Sequence, residues 1–124
     1  MLKFSLTLTV AWLLVFASSV QSASVGDTET GIAAYYSNVF HGRRTANGER
    51  YDKNAYTAAH KRLPFGTRVR ITNLENGKSV VLKINDRGPS AENRIVDVSR
   101  RASRDLGFIR QGLTEVRLEV IQMP

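Results

Sequence analysis

The sequence predicts a mainly β fold, a small closed or nearly closed barrel of five or six short strands with one short helix. Three observations indicate it. Short apolar or alternating runs recur along the chain with turn residues between them. The regular alternation of strand and helix that is typical of a parallel α/β sheet is missing from the sequence. A closed barrel would bury the apolar faces of such strands and remove their open edges.

The first 23 residues are of a different kind and predict an export signal. Lys3 precedes an apolar run over residues 4–17, and small residues follow in "SSVQSAS". This is the pattern of a cleaved signal peptide, with the cut after Ser22 or Ala23, and the run is short for a membrane span. We therefore expect an exported protein, periplasmic or secreted. An uncleaved anchor is the alternative.

The composition limits how the exported domain is stabilised and what it binds. The chain has no cysteine, so a hydrophobic core alone must hold the domain, and no lipid-bearing cysteine follows the signal. We expect a monomer without a stable membrane anchor. The net charge is +7, and it becomes +6 without residues 1–23, which hold one lysine and no acid. Anionic partners in the cell envelope are expected, whereas the scattered arginines do not resemble a nucleic-acid site.

The elements of the first half follow a polar lead at residues 24–30. A long polar connection over residues 38–54, with a turn at Asn47-Gly48, separates the first two predicted strands. The pair Asn76-Gly77 is typical of a hairpin and joins the third strand to the fourth. The predicted strands are residues 31–37, the weaker run 55–60, the alternating run 68–74, and an apolar run that begins at residue 79 and ends on "NDRGP".

The second half adds two strands and the helix. Residues 94–99 and the alternating run 114–122 are predicted strands. Between them, Ser99 is a plausible N-cap for "RRASRDL" and Gly107 a plausible stop. Val98, Ala102 and Leu106 recur every fourth residue, so the helix should bury one face.

The sequence offers no metal or cofactor site. Its two histidines, His41 and His60, lie 19 residues apart without cysteines or paired-ligand spacing. A Gly-x-Ser-x-Gly elbow and phosphate-binding loops are missing too. What remains is a set of polar residues at predicted strand ends and turns: Glu49, Asp52, His60, Asp86, Arg87 and Asp97.

Carboxylates without a metal suit the cleavage of a glycosidic bond. That reaction needs a carboxylic acid to protonate the departing oxygen, and a lytic transglycosylase needs no second carboxylate because the 6-hydroxyl of the sugar attacks. Each candidate also has a structural explanation. Asp86 can be a turn residue before Gly88-Pro89, His60 a surface or capping residue, and Glu49 a solvated one, while Asp97 is more typical of a structural role before the helix cap.

Three segments in this order resemble the double-psi β-barrel domain of the rare lipoprotein A family, the septal-ring lytic transglycosylases of bacterial cell walls. They are "GIAAYYSNVFHGRRTANGERYD", "YTAAHKRLPFGTRVRITNLENGKSVVLKINDRGP" and "NRIVDVSRRASRDLGFIRQGLTEVRLEVI". The resemblance implies a six-stranded double-psi β-barrel over residues 31–122. It also implies a carbon–oxygen lyase that cleaves between N-acetylmuramic acid and N-acetylglucosamine in glycan strands. The implied product carries a 1,6-anhydro end, and strands without stem peptides are preferred.

The resemblance also implies the site residues. The acid of "TANGE" is Glu49, the histidine of "TAAH" is His60, and the acid of "NDRGP" is Asp86. Asp86 is then the acid/base, with Glu49 and His60 orienting the substrate or tuning that proton. Along the connection over residues 38–54 and beside it, the expected substrate-binding residues are Tyr36, Arg43, Arg44, Asn47 and Arg87.

Two other readings stay open at this point. The barrel could be a non-catalytic module that binds peptidoglycan or another polysaccharide, as the similar barrel of expansins does, or a secreted effector or inhibitor that binds a protein. The joint presence of Glu49, His60 and Asp86 favours the enzyme. Many family members also carry a lipid-bearing cysteine and a C-terminal glycan-binding domain. Neither is in this sequence, so septal targeting is not predicted.

Overall fold

A computed structural model describes residues 22–124 and shows a closed barrel of six strands with one α-helix. The order of strands around the barrel is β1-β5-β2-β4-β3-β6. The strands are β1 (Thr28–Tyr35), β2 (Thr57–His60), β3 (Arg68–Asn73), β4 (Ser79–Asp86), β5 (Arg94–Val98) and β6 (Thr114–Gln122), and the helix α1 is Arg100–Leu106. The mainly β class and the closed barrel are thereby confirmed. Almost all of the predicted export signal lies outside the described residues, and within them no helix is long and apolar enough to cross a membrane.

The barrel mixes parallel and antiparallel pairs. Strand β1 pairs with β5 and β2 with β4 in parallel, whereas β2 pairs with β5, β3 with β4 and β6, and β1 with β6 in antiparallel fashion. The core contains valines, leucines and isoleucines of β3, β4, β5 and β6, the alanines Ala33 of β1 and Ala58 of β2, and Phe108, whose ring meets Tyr35 edge-on at 5.7 Å. The short strand β2 therefore lies between β4 and β5, the two strands that end in the "NDRGP" and "IVDVS" motifs.

The predicted helix and its caps are confirmed. The Ser99 hydroxyl accepts a hydrogen bond from the Ala102 N–H, and Gly107 ends the helix in the left-handed conformation at φ 77°. Val98, Ala102 and Leu106 are fully buried, as their spacing predicts. Helix α1 thus covers one part of the barrel and continues the chain from β5 into Phe108.

Strand β1 differs from its predicted run at both ends. Strand β1 begins at Thr28 because the polar residues 28–30 pair with residues 117–119 of the long strand β6. It ends at Tyr35 because Ser37 caps a short 3₁₀ turn over Asn38–Phe40. The β3–β4 hairpin is confirmed, but its loop takes five residues, 74–78. Gly77 sits there at φ 75°, and the Asn73 N–H donates to the Lys78 carbonyl.

Candidate active site

The floor of a surface cleft is formed by four residues in register on four neighbouring strands. Ala59 of β2 pairs with Asp86 of β4 on one side and with Asp97 of β5 on the other, and Asp97 pairs with Ala34 of β1. Directly paired residues point to the same face of a sheet, so two acids and two small residues alternate along the row. Asp86 and Asp97 are two strands apart, roughly 10 Å between Cα atoms at the usual strand spacing. Both alanines line the cleft together with the two acids.

A bulge turns Asp86 towards this cleft. Ala58 pairs with Ile84 and the next residue, Ala59, pairs with Asp86, so Asn85 is one extra residue on β4. In a regular strand without a bulge, Asp86 would share the face of Ile84, because alternate residues of a strand point the same way. Ile84 is buried in the core. Bulges commonly redirect side chains beside active sites. The extra residue therefore delivers the acid to the outer surface of the barrel.

Three donors orient the Asp86 carboxylate. Its Oδ2 accepts from the Tyr36 hydroxyl at 2.5 Å, and its Oδ1 accepts from the N–H groups of Ala46 at 2.8 Å and Arg87 at 2.9 Å. The bond from Arg87 is what a turn residue would make, but the other two come from distant segments. Asp86 thus joins β4 to β1 and to the long connection, and its carboxylate is held in place.

Tyr36 stays protonated, and its hydroxyl donates the hydrogen bond to Asp86. Burial, followed by the hydrogen bond to Asp86, raises the pKa of Tyr36 well above its ordinary value. Its ring stacks on Tyr51 with centroids 4.3 Å apart and planes inclined by 17°. The stack places a flat aromatic wall beside the acid.

Asp97 is the second acid of the floor and is half-buried. Burial raises its pKa above the ordinary value, the Arg94 guanidinium opposes the shift, and the charge of Asp86 adds to it. Arg94 Nε lies 3.5 Å from Asp97 Oδ1, and within residues 22–124 neither buried atom has a hydrogen-bond partner. Burial therefore makes Asp97 easier to protonate than an exposed aspartate. Sequence reasoning gave it a structural role because its pairing with Ala59 is not readable from the chain.

The structure does not bring Glu49 to the floor. Its carboxylate is exposed and accepts from Lys83 Nζ at 2.9 and 3.0 Å and from Asn47 Nδ2 at 2.5 Å. These bonds, with Lys83 first, lower the pKa of Glu49, so the group stays ionised near neutral pH. Asn47 also bonds the Thr45 hydroxyl, and its N–H donates to the Asn85 carbonyl. Both residues brace the connection against β4, and neither lines the cleft.

His60 lies in a separate hollow on the other side of its strand. Its Nδ1 accepts from the N–H groups of Arg62 at 3.0 Å and Leu63 at 3.1 Å. The ring proton of the neutral form therefore sits on Nε2, 3.0 Å from the Glu29 carboxylate, to which it donates. The lining of the hollow includes Glu29, Leu63, Leu118, Val120 and Met123. His60 holds the turn after β2 and does not touch Asp86.

Arg87 connects that turn to the acid. Its Nη1 donates to the Leu63 carbonyl at 2.7 Å and to the His60 carbonyl at 3.3 Å, and its guanidinium lies over the Phe65 ring at 4.0 Å. The Arg87 N–H is also one of the donors to Asp86. Arg87 is therefore one structural connection between the turn that His60 holds and Asp86.

Replacing His60 by alanine should lower the free energy of unfolding by about 1–3 kcal/mol, because the N–H groups of Arg62 and Leu63 lose their acceptor. Urea unfolding checks this. His41→Ala is the matched control, since the exposed His41 also accepts a backbone N–H, from Lys53, and water replaces it there. Equal losses for the two variants would contradict the structural role of His60.

The remaining predicted binding residues stand around the cleft. Tyr36, Arg43, Arg44 and Arg87 line it, together with Phe40, Pro89, Ser90 and Arg94. Residues 43–44 lie on the connection that Ala46 ties to Asp86. The cleft therefore has an acidic floor, an aromatic wall and a basic rim, which suits a polar polymer with a glycosidic bond to be protonated.

Comparison with known proteins agrees with this architecture. A family model described as lytic transglycolase matches residues 28–118. An endolytic peptidoglycan transglycosylase RlpA of Neisseria meningitidis is 56% identical over 94 residues, 76% of this chain and 39% of the relative. The chain belongs to the rare lipoprotein A (RlpA) family. The RlpA of Campylobacter jejuni is 50% identical over 98 residues, 79% of this chain and 36% of that protein. The chain thus spans about two-fifths of the length of these RlpA relatives.

Solved structures confirm the double-psi β-barrel expected of RlpA. The Streptomyces papain inhibitor superposes with a TM-score of 0.64 at 20% identity, covering 79% of this chain and 97% of the inhibitor. An expansin of Clavibacter michiganensis gives 0.61 at 22% identity, with 79% and 52% coverage. At such low identity these proteins share the barrel alone, whereas the RlpA segment includes the cleft residues.

Proposed function

We propose that this RlpA-family chain is an endolytic peptidoglycan lytic transglycosylase. It cleaves the bond between N-acetylmuramic acid and N-acetylglucosamine within glycan strands and leaves a 1,6-anhydro end. The observation that carries the proposal is the pair Asp86 and Asp97 on one cleft floor, in register across Ala59. The relatives named endolytic peptidoglycan transglycosylase support the substrate. The proposal includes export to the periplasm or beyond, which rests on the pattern of residues 1–23.

In the proposed reaction Asp97 takes the acid/base role that the resemblance gave to Asp86. Asp97 gives its proton to the glycosidic oxygen as the bond to C1 of the muramic residue breaks. The 6-hydroxyl of that residue attacks C1, and its proton passes to Asp97, which is restored. No water is consumed. The raised pKa favours the protonated form of Asp97, which is the form that donates.

Asp86 then acts as the fixed anion of the site. Its three donors keep the carboxylate still, so its negative charge faces the positive charge that develops on the sugar ring without prior reorganisation. Glu49 and His60 serve as positioning residues, through the connection and through Arg87. They act on the geometry of Asp86 and do not touch the reacting atoms.

The product identifies the reaction. Purified glycan strands freed of stem peptides are incubated with the protein, and the soluble fragments are weighed by mass spectrometry. Anhydro ends, lighter by one water than hydrolytic ends, are expected. Fragments with reducing ends would make the protein a hydrolase, and binding without soluble product would make it the non-catalytic module.

The basic limb of the pH profile should move when Arg94 is replaced by glutamine. An acid catalyst works when protonated, so activity falls as pH rises through its pKa. The Arg94 charge lowers the pKa of Asp97, and its loss raises that pKa further. The limb of kcat against pH is therefore expected at higher pH in Arg94→Gln. Arg104→Gln, an exposed change on α1, should leave it in place, and a limb unmoved by Arg94→Gln would show that Asp97 is not the proton donor.

A further inference from the structure

Two arginines on the rim of the cleft have no acidic partner among the described residues. Arg43 and Arg44 are exposed and line the cleft beside Asp86, and no carboxylate within residues 22–124 forms an ion pair with either. In contrast, Arg94 is paired with Asp97 on the floor. A pair of guanidinium groups at a cleft without a protein counter-charge can receive an anion from the ligand.

The segment that carries these arginines is held in place. It doubles back on itself: the Gly42 N–H donates to the Tyr51 carbonyl at 2.8 Å, and the Tyr51 N–H donates to the Arg43 carbonyl at 2.6 Å. Arg44 Nη1 donates to the Gly48 carbonyl at 2.9 Å. The Arg43 guanidinium lies over the Phe40 ring at 5.4 Å. Binding of an anion should therefore cost little side-chain entropy of Arg43 and Arg44.

The distance of this rim from the catalytic acids is also constrained. Ala46, two residues beyond Arg44, donates its N–H to Asp86 at 2.8 Å. The same segment therefore carries the arginines and fixes the acid. Because the Asp86 carboxylate repels an anion from the floor, an anionic group of the substrate must lie at the rim while the bond to be cut lies below.

The proposed substrate offers one such group on the sugar that is cut. Muramic acid bears a lactyl ether on O3, two ring bonds from C1, and the lactyl carboxyl is joined to the stem peptide by an amide. Removal of the peptide turns that neutral amide into a free carboxylate. We propose that Arg43 and Arg44 form a carboxylate subsite that binds this free lactyl group, so that the cleft selects peptide-free strands by charge. The inference rests on the proposed function for the identity of the glycan.

Two glycan oligomers of equal length test the subsite. One keeps its free lactyl carboxylates, and in the other they are converted to primary amides, which removes the charge with little change of size. Binding to the full chain carrying Asp97→Asn, which is expected to slow cleavage, is measured by calorimetry at low salt. The acid form is expected to bind about tenfold more tightly, as a charge-assisted contact predicts. With Arg43→Gln and Arg44→Gln added, the two oligomers should bind equally.

A charge-matched control separates the subsite from the general positive field. Arg68→Gln with Arg117→Gln removes the same charge from exposed positions of β3 and β6 outside the cleft, and the preference for the acid form should remain. Equal binding of both oligomers to the starting protein, or a preference that survives loss of Arg43 and Arg44, would overturn the inference. If the wild-type protein prefers the acid form but yields no anhydro product, the subsite stands and the proposed activity fails.

Discussion

Asp97→Asn should lower kcat for release of anhydro products by about 10²- to 10⁴-fold, the usual contribution of a positioned acid. Asparagine keeps the shape of the side chain but has no proton to give to the glycosidic oxygen. KM should stay close to that of the wild-type protein, since Asp97 acts on the bond being broken. The measurement is the initial rate on peptide-free strands over a range of substrate concentrations, with fragments counted by mass spectrometry.

The companion variant Asp86→Asn separates the two acids. It should also lose activity, but it removes the charge that helps to raise the pKa of Asp97. Its residual activity should therefore decline at lower pH than in the wild-type protein. Asp105→Asn, an exposed change on α1, is the matched control and should retain full activity. If Asp97→Asn retains kcat within a few-fold while Asp86→Asn abolishes it, Asp86 is the sole acid, as the resemblance implied.

Phe108→Ala should lower the free energy of unfolding by about 3–5 kcal/mol, a large part of the stability of a small domain. Phe108 is 1% exposed and is the largest fully buried side chain, placed directly after the cap of α1 and against Tyr35. The truncation removes its contacts and leaves a cavity where the barrel and the helix meet. Urea unfolding monitored by circular dichroism measures the loss.

Leu113→Ala is the control for this truncation because Leu113 is 50% exposed in the same connection between α1 and β6. We expect a change of no more than about 0.5 kcal/mol there. A loss below about 1 kcal/mol in Phe108→Ala would show that the helix and barrel do not share one core.

The fold was largely predictable because its strongest signals are local. The alternation of residues 114–122 predicts strand β6 with the bounds that the structure shows. The caps Ser99 and Gly107 predict the two ends of the helix, and the apolar residues four positions apart predict its buried face. The hairpin at Asn76-Gly77 is local as well. The start of β1 was not predictable from residues 28–30, since their pairing depends on β6, which lies far along the chain.

The site depended on features that no local pattern reveals. Asp86 faces outward because Asn85 is an extra residue opposite β2, and a bulge has no signature in "KINDRG". Asp97 belongs to the site because β2 lies between β4 and β5, an arrangement set by the whole topology. His60 was predicted to orient the substrate or tune the proton of Asp86, and its ring meets Glu29, 31 residues away, in another hollow. The catalytic roles of Asp86, Glu49 and His60 stay predictions.

The row Ala34, Asp97, Ala59 and Asp86 has a consequence for how the cleft responds to a bound strand. The backbones that carry its two acids are hydrogen-bonded on both sides of Ala59, so rotating a side chain can move a carboxylate but cannot change the interval between the two Cα atoms. Conformational adjustment must come from the ligand, and a sugar ring that enters has to adopt the shape that this rigid interval admits.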